Sequence, residues 1–175
     1  MQVLFAETTY LEGQMVEQDS LITEEMQATV GVESEPWTLE IDKTSVRMFA
    51  RSVGYTDPVF YDEEEAKKAG YQNLPAPAGY LGTPIFNPNR ASEARGSRPN
   101  PEPSRPLKRM LNGGTDVEYM GQICAGDILT ATNHVSSIEE RQGRLGEMLI
   151  TTSKTVYKNE AGKTVAIVTG TGIRY

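Results

Sequence analysis

The chain has 175 residues, of which 38% are hydrophobic and 23% charged, and its net charge at pH 7 is −7. These values fit one globular domain, and the acidic balance argues against general nucleic-acid binding. One cysteine and one histidine exclude an internal disulfide and a His/Cys zinc site of the chain's own. No apolar run reaches the length of a membrane span, and the N-terminus lacks a secretory pattern. We therefore expect a cytoplasmic protein without metal or cofactor, whose partners are small molecules or proteins.

The N-terminal region predicts one helix and one strand. Residues 1–20 show no clear period and are predicted to be an extension that orders only against a partner chain. Residues 21–31 predict a short helix that Thr23 caps and Gly31 closes. Residues 37–41 (WTLEI) alternate apolar and polar side chains, which predicts the first strand of a sheet.

Two helices are predicted on either side of a proline-fixed loop. Asp42 is the predicted N-cap of the first, and Gly54 is its predicted stop. One face of that helix carries apolar residues at the spacing i, i+3, i+4, i+7, namely Val46, Phe49, Ala50 and Val53. Residues 62–70 predict the second helix, with acids in the first turn and lysines in the last. The loop over residues 55–61 between rigid elements is the place where a site is expected.

The middle of the chain is rich in proline and glycine. Residues 74–86 predict the approach to a helix, and Gly79 would let a ligand come close to the amides at its N-terminus. Pro84 is expected to shorten or kink that helix. Residues 87–106 contain five prolines and almost no apolar residue, so they predict a long loop or excursion.

The last third of the chain predicts strands. Residues 115–175 contain long β-rich runs separated by turn signals at residues 125–127, 141–144 and 159–163. This pattern predicts an antiparallel meander. Together with the helices it predicts an α+β fold in which a curved sheet packs on a central helix.

Several spaced segments form a recognisable set, namely residues 21–26 (LITEEM), 32–36 (VESEP), 49–54 (FARSVG), Pro58, 61–64 (YDEE), 76–77 (AP) and 111–115 (LNGGT). Together they resemble the N-terminal-type domain of MaoC-like dehydratases. The resemblance covers residues 21–175 as one domain and implies a hotdog fold, in which a curved antiparallel sheet wraps around a central helix. It also implies that the sheets of two subunits join, and that the assembly hydrates or dehydrates acyl thioesters of coenzyme A or acyl carrier protein.

The residues that would transfer protons in this family are absent. Catalytic members carry Asp-x-Asn-Pro-x-His, in which the aspartate and histidine activate the water. With Pro58 as the anchor, Tyr55 replaces the aspartate, Asp57 the asparagine and Phe60 the histidine. Phenylalanine cannot transfer a proton, and tyrosine is a poor base at neutral pH. No catalytic residue is therefore predicted, and we expect a non-catalytic subunit whose partner hotdog subunit carries the intact pair.

The same comparison suggests where a substrate binds. We expect acyl-CoA or acyl-carrier-protein thioester contacts from Tyr55, Asp57, Phe60, Gly79, Tyr80, Asn112, Gly113 and Gly114. Within the excursion at residues 87–109, basic side chains could clamp phosphates of coenzyme A or the carrier protein, namely Arg90, Arg95, Arg98, Arg105, Lys108 and Arg109. A solvated surface loop is the more common meaning of such a charge run. Residues 112–115 are equally consistent with a plain junction between loop and strand.

The two other reactive side chains are expected to be structural. A lone strand histidine such as His134, without a carboxylate to orient it, is typically structural or exposed. Cys124 is expected to be a small buried residue.

Three functions compete for this sequence. The first is a subunit of a heteromeric enoyl-CoA hydratase or 3-hydroxyacyl thioester dehydratase. The second is a non-catalytic hotdog protein that binds acyl-CoA to sense or sequester it. The third, a thioesterase, would need a carboxylate near the central helix, and fold alone does not decide among them.

Overall fold

The structure, a computed structural model, describes residues 20–85, 100–144 and 146–175. Its main element is a six-stranded antiparallel sheet of strand order β2-β1-β4-β5-β6-β3. The strands are β1 Trp37–Glu40, β2 Thr83–Pro84, β3 Met110–Tyr119, β4 Ile128–Gly143, β5 Gly146–Lys158 and β6 Thr164–Arg174. The described helices are α1 Glu24–Ala28, α2 Lys43–Ser52 and α3 Glu63–Lys68, with a 3₁₀ turn at Pro58–Phe60.

Helix α1 begins where the sequence predicts but ends earlier. The Thr23 hydroxyl accepts the hydrogen bond of an N-cap, whereas the helix stops at Ala28 instead of reaching Gly31. Val30 already forms an isolated bridge with Val135, and Gly31 donates its amide to the Val135 carbonyl at 2.8 Å. The end of the helix is therefore set by docking onto β4, which no local sequence signal reveals.

Helix α2 confirms its predicted start and most of its buried face. The Asp42 carboxylate accepts a hydrogen bond from the Ser45 amide at 2.9 Å. Val46 and Ala50 are fully buried. Val53, which the pattern placed on the same face, is 47% exposed because it is the C-cap beyond the last turn. The next helix, α3, has Asp62 as its cap, as its acidic first turn suggests.

The sheet is strongly curled, and the main core lies in its concavity. Leu39 of β1 and Val117 of β3, which belong to strands far apart in the strand order, line the same cavity. The core joins the apolar faces of the helices to the sheet through Leu39, Ile41, Val46, Ala66, Leu74, Tyr80, Ile123, Ala125, Leu129, Ala131, Val165 and Ala166. The α+β architecture with a curved antiparallel sheet is confirmed.

The strand predictions need three corrections. β3 begins at Met110, so the Asn112–Gly114 segment lies inside a strand and forms a bulge there, not a junction before one. β3 also pairs with β6, on the far side of the β4-β5-β6 meander. The turn expected at residues 141–144 lies later, because Arg141 and Gln142 still pair with β5. The turn at residues 159–163 is confirmed by a bond from the Asn159 amide to the Lys163 carbonyl at 3.0 Å.

Residues 80–85 do not form the helix that the sequence predicts after Gly79. Thr83 and Pro84 instead pair with β1 as strand β2. Gly82 explains the difference, because an added Cβ there would lie 3.0 Å from the Leu39 Cβ and 3.1 Å from the Glu40 carbonyl oxygen. The segment approaches β1 more closely than any side chain at this position would allow.

Some expectations fall outside the described residues. They are the N-terminal extension up to residue 19, Phe86, and the arginines Arg90, Arg95 and Arg98 of the excursion. Within the described ranges, no helix combines the length and apolar character needed to cross a membrane. In those same ranges, no group of three or more His, Cys, Asp or Glu side chains could hold a metal ion.

Candidate functional site

The loop between α2 and α3 is held by its own side chains. Gly54 has a φ of +79°, which lets the chain turn out of α2. The Asp57 carboxylate accepts a hydrogen bond from the Val59 amide at 3.0 Å and so caps the 3₁₀ turn. The Tyr61 hydroxyl donates to the Tyr55 carbonyl. Contacts within the loop itself therefore hold its conformation.

The two positions that the resemblance assigns to an acid/base pair carry aromatic rings in contact. The ring centroids of Tyr55 and Phe60 are 5.3 Å apart with an interplanar angle of 32°. Tyr55 is 37% exposed and Phe60 is half-buried. The neighbouring Asp57 carboxylate is engaged as a cap. The loop therefore presents an apolar aromatic surface in place of groups that could hold a water and move its proton.

A cavity of about 520 Å³ occupies the concave side of the sheet. Tyr80, which the sequence predicts as a binding residue, lines it and is 8% exposed. Its hydroxyl lies 3.1 Å from the Thr83 hydroxyl, and its ring packs on Phe49 at a centroid distance of 5.5 Å. Because both ends of the ring are held, Tyr80 forms a fixed wall of this cavity.

Gly79 connects the two edges of the curled sheet. Its amide donates to the Tyr119 hydroxyl at 2.7 Å, and its φ of +90° disfavours any residue with a side chain. Tyr119 ends β3, whereas Gly79 precedes β2 at the opposite edge. The bond therefore closes one side of the cavity, and it engages the backbone amide of Gly79, a residue predicted to contact the substrate.

Most of the remaining cavity lining is apolar. The nonpolar and aromatic lining residues include Trp37, Leu39, Leu81, Val117, Tyr157 and Val168. The polar part comes from Thr115, Asn133 and Thr155, and the side-chain amide of Asn133 donates to the Thr155 hydroxyl at 2.9 Å. An apolar cavity with a few placed polar groups is typical of a site for an apolar ligand with a polar end.

The sequence analysis missed Trp37, Tyr119 and Tyr157 as site residues. A usable signal existed, since Trp37 alternates with Leu39, and Tyr119 alternates with Val117 on one face of a strand. What the sequence could not show is that the sheet curls until these faces meet.

The structure groups the predicted binding residues into separate places. Gly79 and Tyr80 line the concave cavity, while Tyr55 and Phe60 contact each other on the loop that follows α2. Phe49 lies on α2, the helix that leads into this loop, and packs against Tyr80.

The Asn112–Gly114 segment lies farther along β3. The Asn112 side chain accepts a hydrogen bond from the Gly114 amide at 3.0 Å, which stabilises the bulge. An added Cβ at Gly113 would lie 3.0 Å from Thr171 and 3.1 Å from Ile173 on β6. The glycine is therefore explained by close packing between strands. Asn112 lines a second cavity of about 430 Å³.

The structure describes three basic residues of the excursion, Arg105, Lys108 and Arg109. Their segment lies beside the C-terminal residue Tyr175, which pairs with Arg109 through backbone hydrogen bonds. Arg105 forms an ion pair with Glu147. The Arg109 guanidinium carbon lies 6.0 Å from the centroid of the Tyr175 ring, and Lys108 is exposed. Lys108 and Arg109 are thus the accessible members of the described set.

Cys124 and His134 are not among the described residues that line the concave cavity. Cys124 is buried, and burial raises the pKa of its thiol, which confirms that it is a small buried residue and disfavours a nucleophilic thiolate. His134 pairs with Lys154 across β4 and β5.

Comparison with known proteins decides the family. A family model described as FAS1-like, dehydratase domain region, matches residues 28–168, well over half of the chain. The chain belongs to this dehydratase family. A UPF0336 protein of Streptomyces avermitilis is 30% identical over 105 residues, a match that covers 59% of this chain and 66% of that protein. A probable enoyl-CoA hydratase alpha subunit of Thermomonospora curvata is 28% identical, and the match covers 69% of this chain but only 40% of that longer protein.

Solved structures confirm the hotdog fold of MaoC-like dehydratases. The HadBC (3R-hydroxyacyl-ACP dehydratase) complex of Mycobacterium tuberculosis matches with a TM-score of 0.57 and 20% identity, over 83% of this chain and 98% of that one. The ChsH1-ChsH2 complex of the same organism matches with a TM-score of 0.62 and 13% identity, over 85% and 92%. A MaoC-like dehydratase of Rhodospirillum rubrum matches with a TM-score of 0.57 and 18% identity, over 83% and 92%. At these identities the likeness concerns the fold.

Proposed function

We propose that the chain is the non-catalytic subunit of a cytoplasmic heteromeric MaoC-type enoyl-CoA hydratase or 3-hydroxyacyl thioester dehydratase. The observation that carries the proposal is the pair Tyr55 and Phe60, whose rings pack together where an acid/base pair would stand. The loop around them keeps its cap and its glycine turn. A loop that has its frame but lacks its proton-handling groups fits a subunit whose partner performs the chemistry.

The reaction divides the work between the two subunits. Hydration adds a hydroxyl to the β-carbon of an enoyl thioester and a proton to the α-carbon, and this needs a base near the water and donors near the thioester oxygen. The partner hotdog subunit supplies the Asp/His pair. This chain supplies apolar surface for the acyl group, with Tyr80 as a fixed wall of the concave cavity.

Substrate contacts follow from the same assignment. In this proposal the acyl chain lies against the cavity, and Tyr55 and Phe60 shape its entrance with Asp57 beside them. The segment from Asn112 to Gly114 holds β3 in position on β6. Lys108 and Arg109, together with Arg105 and the arginines of the excursion, attract the phosphates of coenzyme A or the carrier protein. This attraction is tested by replacing Lys108 and Arg109 with alanine. An unchanged affinity for an acyl-CoA analogue would show that these side chains do not bind the phosphates.

The experiment is co-expression with a catalytic MaoC-type hotdog subunit, followed by a hydration assay over a series of acyl chain lengths. The purified complex is expected to hydrate enoyl thioesters. Tyr80→Ala is expected to move the preference towards bulkier acyl groups because it removes the ring wall, whereas the matched control Tyr80→Phe keeps the wild-type preference. A complex whose chain-length profile is the same with alanine and phenylalanine would contradict the role of the cavity.

One alternative has an observation of its own. The 520 Å³ cavity is formed within this single chain, which would also suit a protein that binds acyl-CoA without chemistry, as a sensor or sequestering protein. Tight acyl-CoA binding by the isolated chain, with no hydration by any mixture with a catalytic subunit, would favour this alternative.

A further inference from the structure

Strand β3 forms one outer edge of the sheet. It pairs with β6 on one side, and among the described residues no strand pairs with its other side. All of its residues except Val117 are exposed, and they include Met110 at 75%, Leu111 at 47% and Tyr119 at 44%. A ten-residue edge with exposed apolar side chains is a template for pairing with another strand.

Strand β3 carries two carboxylate side chains, those of Asp116 and Glu118. Thr115 and Val117 line the concave cavity, so Asp116 and Glu118, which alternate with them, lie on the opposite face of the sheet. Their neighbours across β6 are Thr169 and Ile167, which carry no charge. Within the part of the chain that the structure describes, neither Asp116 nor Glu118 forms an ion pair.

Pairing of β3 with a second copy of itself would bring these acids together. In an antiparallel pair related by a two-fold axis, residues on the same face oppose each other. If the two-fold axis passes through Val117, Asp116 of each copy lies opposite Glu118 of the other. If the axis passes through Asp116, the two Asp116 side chains lie opposite each other. Like charges directly opposite destabilise a strand pair. Registers nearer the start of β3 would place the bulge between Asn112 and Gly114 inside the new ladder.

We propose that the β3 edge selects a non-identical partner, namely a sheet-edge strand of another hotdog subunit with lysine or arginine opposite Asp116 and Glu118. The inference rests on the proposed function for the kind of partner, a second hotdog subunit. The selection against self-pairing follows from the charges of this chain alone. Opposite charges facing each other stabilise cross-strand pairs and fix their register.

The test uses the chain itself as the probe. The double variant Asp116→Lys with Glu118→Lys converts the acidic edge into a basic one. Sedimentation velocity over a concentration series is expected to show that wild type mixed with this variant associates on the order of tenfold more tightly than either form alone. Salt is expected to weaken the mixed pair because the charges are exposed.

A matched control keeps the charge change but moves it off the edge. Glu33→Lys with Glu35→Lys has the same spacing and the same net change, and both residues are exposed outside β3. Mixing this control with wild type is expected to give no added association. Equal association in the two mixtures, or no added association with the β3 variant, would overturn the proposal.

A second double variant tests the same inference without lysine substitutions, in case the lysine-substituted chain does not fold. Asp116→Asn with Glu118→Gln removes the repulsion without new charge, so self-association is expected to rise above that of wild type. Unchanged or weaker self-association would contradict the inference. Neither readout measures hydration, so failure here leaves the proposed enzyme role standing. If a correctly paired complex does not hydrate enoyl thioesters, the proposed enzyme role is wrong, and the inference about partner selection at β3 is unaffected.

Discussion

Gly82 allows the segment before the undescribed residues to lie against β1, and replacing it by alanine tests this directly. Its φ is +100°, and an added Cβ would lie 2.9 Å from Ile41 Cδ1, 3.0 Å from the Leu39 Cβ and 3.1 Å from the Glu40 carbonyl oxygen. Gly126 is a matched control, because its φ is +101° but nothing lies within 4 Å of an added Cβ. The two substitutions share the backbone strain and differ in the crowding.

The expected losses of stability follow from that difference. Alanine at a positive φ costs about 1 kcal/mol at either glycine. Overpacking adds about 1–3 kcal/mol at Gly82 because two of the three close atoms, a Cβ and a carbonyl oxygen, belong to or adjoin the backbone and cannot rotate away. Gly82→Ala should therefore lower the free energy of unfolding by about 2–4 kcal/mol and Gly126→Ala by about 1 kcal/mol. Urea unfolding measures both, and equal losses would refute the packing argument.

Three further predictions concern single side chains. Asp42→Ala removes the cap of α2 and should cost about 1 kcal/mol of unfolding free energy in urea unfolding, whereas Asp42→Ser should keep most of it. Tyr119→Phe removes the acceptor of the Gly79 amide and should cost about 1 kcal/mol in the same assay, with an unchanged value counting against the closure of the cavity. A hydrogen bond from Ser20 holds the pKa of Glu140 below its ordinary value of 4.5, so its stabilising contribution is present above that value and is lost as the pH falls through the lower folded-state pKa. Glu140→Gln should therefore reduce the fall in stability of the wild type below about pH 5, and parallel pH profiles would contradict this.

Local signals in the sequence predicted the helical half of the molecule well. The predicted caps Thr23 and Asp42 both act as expected, because capping depends on side-chain and backbone groups only two or three residues apart. The loop between α2 and α3 was likewise predicted, because Gly54 and Pro58 interrupt the helical pattern.

Features set by contacts between distant segments could not be predicted. The end of α1 depends on Val135, more than a hundred residues away. The place of β3 beside β6 has no local signature, and neither does the curl that brings Trp37 towards Val117. Gly79 was predicted as a position of close approach, but its partner Tyr119 was not, and neither was the close approach of Gly82 to Leu39.

We propose that this chain does not perform the chemistry by itself. The most direct measurement is the steady-state rate at which the purified, isolated chain hydrates an enoyl-CoA, compared with the rate of its complex with a catalytic hotdog subunit. The isolated chain is expected to show no rate above the uncatalysed reaction, because neither Tyr55 nor Phe60 can serve as the base. Turnover by the isolated chain at about 1 s⁻¹ or faster, in the ordinary range of enzymes, would contradict it.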